Sequence, residues 1–225
     1  MGITKPTKKE KGIAIGVGIA FMVLALIPQM ITQEIPTIIV LLKYGVANLI
    51  PVMTKFELTN PIIWSLFVGG TAAVYQESMK YFSVNTQNKY LTIWIGLGFA
   101  LVDLAVLYFQ GLPLLVRAFS LIPLILITLN TLSSLLFHPG TALMLKYGRT
   151  VGKGVYFLLF TILLHGIEDG GLVFTDIFVI HNPGLYLEAI AVFWGITISI
   201  SIASIIMGLS FRSRLYEMSG DENTI

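Results

Sequence analysis

The sequence predicts an all-α fold, a polytopic membrane helix bundle of about seven transmembrane helices. Three observations predict it. Charged side chains make up 12% of the 225 residues against 56% hydrophobic ones, too few to coat a water-soluble domain. Apolar runs of roughly 20 residues recur, enough to cross about 30 Å of hydrocarbon as helix. The alternating segments of about ten residues that build a spanning β-barrel are missing from the sequence, which leaves helices as the way to satisfy backbone groups in lipid.

The expected helices cover roughly 12–32, 36–54, 61–86, 89–110, 114–147, 153–175 and 184–210. Lys5, Lys8, Lys9 and Lys11 precede the first, which is long enough to span and is read as retained. Pro36 and Pro61 start the second and third, Gly111-Leu112-Pro113 breaks the fourth from the fifth, and Asn182-Pro183-Gly184 turns into the last. The stretch 114–147 is long for one span and short for two, and Pro123 and Pro139 could kink it. The chain therefore divides into a basic N-terminal tail (1–11), a single transmembrane domain (12–210) and a polar C-terminal tail (211–225) whose last residues, SGDENTI, are expected to be disordered. Small residues Gly12, Gly16, Ser199, Ser201 and Ser204 suit close helix packing.

Basic residues set orientation, and here they conflict. The N-terminal lysines draw that end to the cytoplasm; Lys146, Arg149, Lys153, Arg212 and Arg214 draw the other end there. With seven spans, the C-terminal end is taken as cytoplasmic, in a multi-pass protein of the cell membrane. Scattered basic residues without an aromatic–basic stripe exclude nucleic acid as a partner. The absence of cysteine excludes disulfides, thiolate catalysis and thiolate metal ligands. The expected partners are membrane lipid, a peptide or membrane-protein substrate, and a membrane-protein partner.

Ionisable groups inside such runs are costly and mark function. Glu77, Asp103, His138 and His165 fall within roughly 10 Å of the midplane of their proposed spans at 1.5 Å rise per residue. Asp169 lies one turn from His165 on the same face, and Lys80 shares a face with Glu77. Each also has a plain structural explanation. Lys43 could neutralise Glu77 or Asp103, His138 could bond a carbonyl freed by Pro139, and Asp169 before Gly170-Gly171 could mark a helix end. Lys80 is expected to snorkel to the interface, with pairing to the carboxylate as the other reading. His181 and Glu188 receive no role.

Chemically, the set suits hydrolysis. A buried carboxylate can take a proton from water, and histidines can hold an oxyanion, pass protons or bind a metal. His138, His165 and Asp103 form a candidate zinc set, two histidines and a carboxylate with an open position. The spacing lacks an HExxH motif and does not establish metal binding.

Four segments then resemble a known superfamily. QESMKYF is similar to the EExxR or EExxK helix of the membrane peptidases that include the CAAX prenyl endopeptidases, PrsW and the YhfC family. IGLGFALVD resembles the YhfC-type GxGHGxxE segment, FHPGTALML the following histidine helix, and LLHGIEDG the HxxxD or HxxxN helix. The order over residues 61–210 also resembles the Aph scaffold subunit of gamma-secretase, a catalytically silent relative. The resemblance implies an intramembrane endopeptidase-like fold. Glu77 would be the general base, His138 and His165 would stabilise the oxyanion or hold metal, Asp169 would orient His165 or the water, and Lys80 would steady the carboxylate helix. Two departures stand out: Gln76 replaces the first glutamate of the pair, and Phe99 replaces the histidine of the glycine-rich segment, whose acid is Asp103. Three functions follow as expectations: a metalloprotease-like intramembrane peptidase, a silent scaffold, or a small proton-coupled transporter using Lys43, Glu77 and Asp103 as a relay.

Overall fold

The computed structural model describes residues 6–118 and 121–218, so SGDENTI lies outside the described residues. Its helices are α1 (Lys8–Gln33), α2 (Ile35–Tyr44), α3 (Val46–Thr59), α4 (Pro61–Ser83), α5 (Thr92–Ala118), α6 (Leu121–Thr150), α7 (Gly154–His181) and α8 (Tyr186–Glu217), with a 3-10 turn at Pro183–Leu185. No strand occurs among the described residues. Among the described residues five stretches are long and apolar enough to cross a membrane: Lys8–Tyr44, Thr92–Phe109, Leu121–Thr150, Gly154–His181 and Pro183–Glu217. They mark the chain as an integral membrane protein. α4 is long enough, at 23 residues, but Gln76, Glu77 and Lys80 dilute its apolar content.

Several boundaries differ from expectation for identifiable reasons. α1 begins inside the supposed basic tail because Thr7 closes a capping box. The Glu10 amide donates to Thr7 Oγ1 (3.2 Å), and the Thr7 amide donates to Glu10 Oε2 (2.7 Å). The helix expected over 36–54 is split at Gly45, whose φ of 75° and ψ of 169° are open to glycine and strained for other residues. Neither α2 nor α3 buries a single residue. The expected break at Gly111-Leu112-Pro113 is absent, since α5 runs on to Ala118. A proline within a membrane helix forfeits one hydrogen bond without ending the helix when neighbours satisfy the freed carbonyl. The C-terminal tail is helical as far as Glu217. The starts at Pro36, Pro61 and the 182–184 turn stand where local chemistry puts them.

In the bundle, α7 packs on α4, α6 and α8; α6 also packs on α5 and α8; α1 packs on α4 and α5. Glycines set the tightest approaches. A methyl at Gly69 of α4 would overlap the backbone of Gly170 in α7, and one at Gly140 of α6 would overlap Ser204 of α8. Ser201 and Ser204 are buried as expected, whereas Ser199 is exposed and Gly12 and Gly16 face open space. Gly18, not those two, meets α5, at Ile95 and Gly98.

The start of α1 and the end of α8 lie at one end of the bundle. Lys11 stacks on Trp94 at the start of α5 (5.1 Å). Lys146 Nζ donates to the carbonyls of Val84 (2.9 Å) and Gln87 (2.8 Å). Arg149 donates to Tyr81 O (3.2 Å), and Lys89 donates to Leu215 O (3.0 Å) near the end of α8. The N-terminal lysines and the basic residues of the α6–α7 turn and of α8 therefore share one end. The conflict seen in sequence came from counting 36–54 as a span, where the structure has two short helices that bury no residue. An odd count would have put the termini at opposite ends.

Candidate functional site

The last turns of α4 carry Gln76, Glu77 and Lys80 on the face turned inward, at the spacing that brings i and i+3 together. Lys80 does not snorkel: it is 0% exposed, as is Glu77. Its Nζ donates to Glu77 Oε1 (2.5 Å) and to Thr141 Oγ1 of α6 (2.9 Å). The rings of Phe99 and Phe137 each lie 5.4 Å from the ammonium. Phe99, where the resembling segment has histidine, thus serves as an aromatic wall for the buried cation. A buried ion pair persists only when its remaining groups are satisfied. Thr141 and the two rings meet that condition for Lys80. Gln76 Nε2 donates to Gln29 Oε1 of α1 (3.1 Å), a contact that ties two helices together away from the histidines.

Glu77 Oε1 also lies 2.8 Å from His165 Nδ1, joining α4 to α7. His165 Nε2 lies 3.4 Å from Asp169 Oδ2, one turn on. A neutral imidazole donates from one nitrogen, so both contacts become hydrogen bonds only when the ring carries two protons. The result is a continuous polar chain, Lys80–Glu77–His165–Asp169. His138 of α6 stands beside it, its ring centroid 5.5 Å from that of His165 and nearly perpendicular. Its Nε2 is 3.8 Å from Asp103 Oδ2, beyond direct hydrogen-bond range. His138 Nδ1 and Glu77 Oε2 are buried without a hydrogen-bond partner among the described residues.

These side chains converge on a cavity of ≈ 50 Å³ whose polar wall includes Asp103, Ser134, His138, His165, Glu168 and Asp169. That volume admits water. The side chains of Asp103 and Asp169, 37% and 39% exposed, mark its opening. Glu77 is not among the lining residues; it reaches the cavity through His165. A larger apolar groove of ≈ 460 Å³ runs between α7 and α8, and Phe193 lines both spaces.

All six residues expected at the site are therefore gathered, though not in the arrangement a metal requires. Among the described residues no group of three or more histidines and carboxylates could hold a metal ion. The reason is local: a ligating histidine must aim a nitrogen lone pair at the metal, and both nitrogens of His165 face carboxylate oxygens instead. Zinc at His138, His165 and Asp103 does not fit. Lys43 is exposed in α2, stacked on Tyr44 (5.2 Å), and reaches neither Glu77 nor Asp103. The relay that a transporter reading needed is not formed.

Three participants were missed in the sequence. Glu168 lines the cavity and accepts from Ser201 Oγ (2.9 Å). Its position at i+3 from His165, beside Asp169 at i+4, was a usable signal. Thr141 at i+3 from His138 was another. Ser201 was legible only as a small residue. Comparison of the chain with models of protein families, with curated proteins and with solved structures finds no match.

Proposed function

We propose that this chain is a hydrolase of the cell membrane with six spans (α1, α4, α5, α6, α7 and α8) that cleaves a peptide bond within or beside the bilayer. One observation carries the reading: the Lys80–Glu77–His165–Asp169 chain, drawn from two helices and ending at a cavity that admits water. Bundle interiors do not hold such a chain without a use, because each member is expensive in hydrocarbon. Lys80 holds Glu77, and Glu77 fixes the ring of His165. His165, held at both nitrogens by carboxylates, closes one side of the cavity, and His138, whose Nδ1 has no partner among the described residues, presents the imidazole N–H that stabilises the oxygen of a tetrahedral intermediate. The order of the four resembling segments supports peptide as the substrate. The α7–α8 groove would receive its apolar part, with Phe193 at the junction. Both termini face the cytoplasm, since the basic residues share that end.

The test uses the full chain in lipid nanodiscs with a fluorogenic library of membrane-spanning peptides. His138→Ala, which removes the oxyanion donor, is expected to lower cleavage by roughly 10²–10³-fold while the helical content by circular dichroism holds. A wild-type chain that cleaves nothing defeats the proposal.

A second reading, a silent scaffold, is favoured by two features. Glu77 is sealed behind His165, and Phe99 occupies a position that has histidine in the resembling segment. In that case the ion pair is a brace for α4, α6 and α7. Stable co-purification with another membrane protein, unaffected by Glu77→Gln, would favour it.

A further inference from the structure

We infer that Glu168, not Glu77, is the carboxylate that takes the proton of the hydrolytic water. The inference rests on the hydrolase reading above. Glu168 is buried, and its side chain lines the cavity. Glu77 does not line it, and one of its oxygens already serves both Lys80 and His165. Glu168 Oε1 accepts one hydrogen bond, from Ser201 Oγ of α8 (2.9 Å). Ser201 has a single proton and a second acceptor, Thr197 O, at the same distance of 2.9 Å. Ser133 Oγ, 2.7 Å away, completes the hydroxyl chain behind the carboxylate. On the same cavity wall the Thr197 hydroxyl is buried with no hydrogen-bond partner among the described residues. A water between Glu168 and Thr197 would satisfy that hydroxyl and sit beside the histidines.

The groups that face this carboxylate are Asp103 from α5, His138 from α6, and His165 and Asp169 from its own helix; Lys80 of α4 stands behind Glu77. The step balances without a further reagent. Glu168 takes one proton from water as the water oxygen bonds to the carbonyl carbon. The carbonyl π pair moves onto oxygen, held by the imidazole N–H of His138. The C–N bond then breaks, and Glu168 returns its proton to the leaving nitrogen. The water's other hydrogen stays with the new carboxyl group.

The experiment compares the full-length wild type with E168Q, E168D and E77Q in nanodiscs, using the membrane-spanning peptide library and a pH–rate profile. E168Q is expected to lower kcat by roughly 10²–10⁴-fold, with partial recovery in E168D. E77Q is expected to lower the rate through a misplaced His165 yet to keep the acidic limb of the profile. If E168Q fails to fold, Ser201→Ala tests the same point, because removing the donor displaces the acidic limb and leaves the fold intact. A folded E168Q that cleaves at the wild-type rate, or an S201A profile that does not move, overturns the role of Glu168 and leaves the hydrolase reading standing. A wild-type chain without cleavage removes both.

Discussion

Lys80 is the residue whose environment differs most from what its type suggests. Its ammonium is enclosed by Glu77, Thr141 and two aromatic rings. Removing one member of a buried pair strands the other. Lys80→Met is therefore expected to destabilise the folded bundle by about 3–5 kcal/mol, read by thermal or denaturant unfolding in detergent. The double variant K80M/E77Q removes both charges and should recover much of that loss. Equal destabilisation in single and double variants would show that the pair is not coupled. The histidines and their near acids were legible in the sequence because an ionisable group in an apolar run is conspicuous. The fate of Lys80 was not, because snorkelling depends on which neighbours close over the side chain. Glu168 was hidden by its more conspicuous neighbour Asp169.

Helices follow local chemistry at their ends and tertiary packing along their lengths. Pro36, Pro61 and the 182–184 turn could be read directly, since each constrains the backbone by itself. Pro113 could not, because neighbours decide whether a proline in a membrane helix ends it. The small residues of α1 show the same division. Gly12, Gly16 and Gly18 are equivalent in sequence, yet only Gly18 meets another helix. Gly18→Ala is expected to lower the thermal midpoint of the protein, and Gly12→Ala to leave it unchanged. A shift of equal size at both positions would contradict the α1–α5 contact. At Gly45 an alanine must adopt a strained backbone at a cost of about 1–3 kcal/mol, so Gly45→Ala should loosen the α2–α3 turn, seen as faster proteolysis there.

For the whole molecule, the testable property is sidedness. The chain has no cysteine, so single introduced thiols report position without background. Cysteines at Thr7 and Val151 should be shielded from an impermeant maleimide added outside intact cells. Cysteines at Gly45 and Asn182 should be labelled. Labelling of the first pair would invert the assignment, and labelling of one site from each pair would defeat the six-span arrangement. Membrane class was plain from composition. Sidedness was not, because one misjudged span reverses every later one.

The ion pair in α4 also bears on biogenesis. A segment that carries glutamate and lysine is poorly matched to lipid on its own, and the imidazole that joins it arrives 88 residues later. At about 5–20 residues per second of translation, that delay is about 4–18 seconds. During this interval the nascent α4 has to wait at the translocon, in the water of the channel, or under a chaperone. A chain halted before α7 should accordingly leave a cysteine introduced in α4 open to a water-soluble maleimide, whereas a chain extended past His165 should shield it.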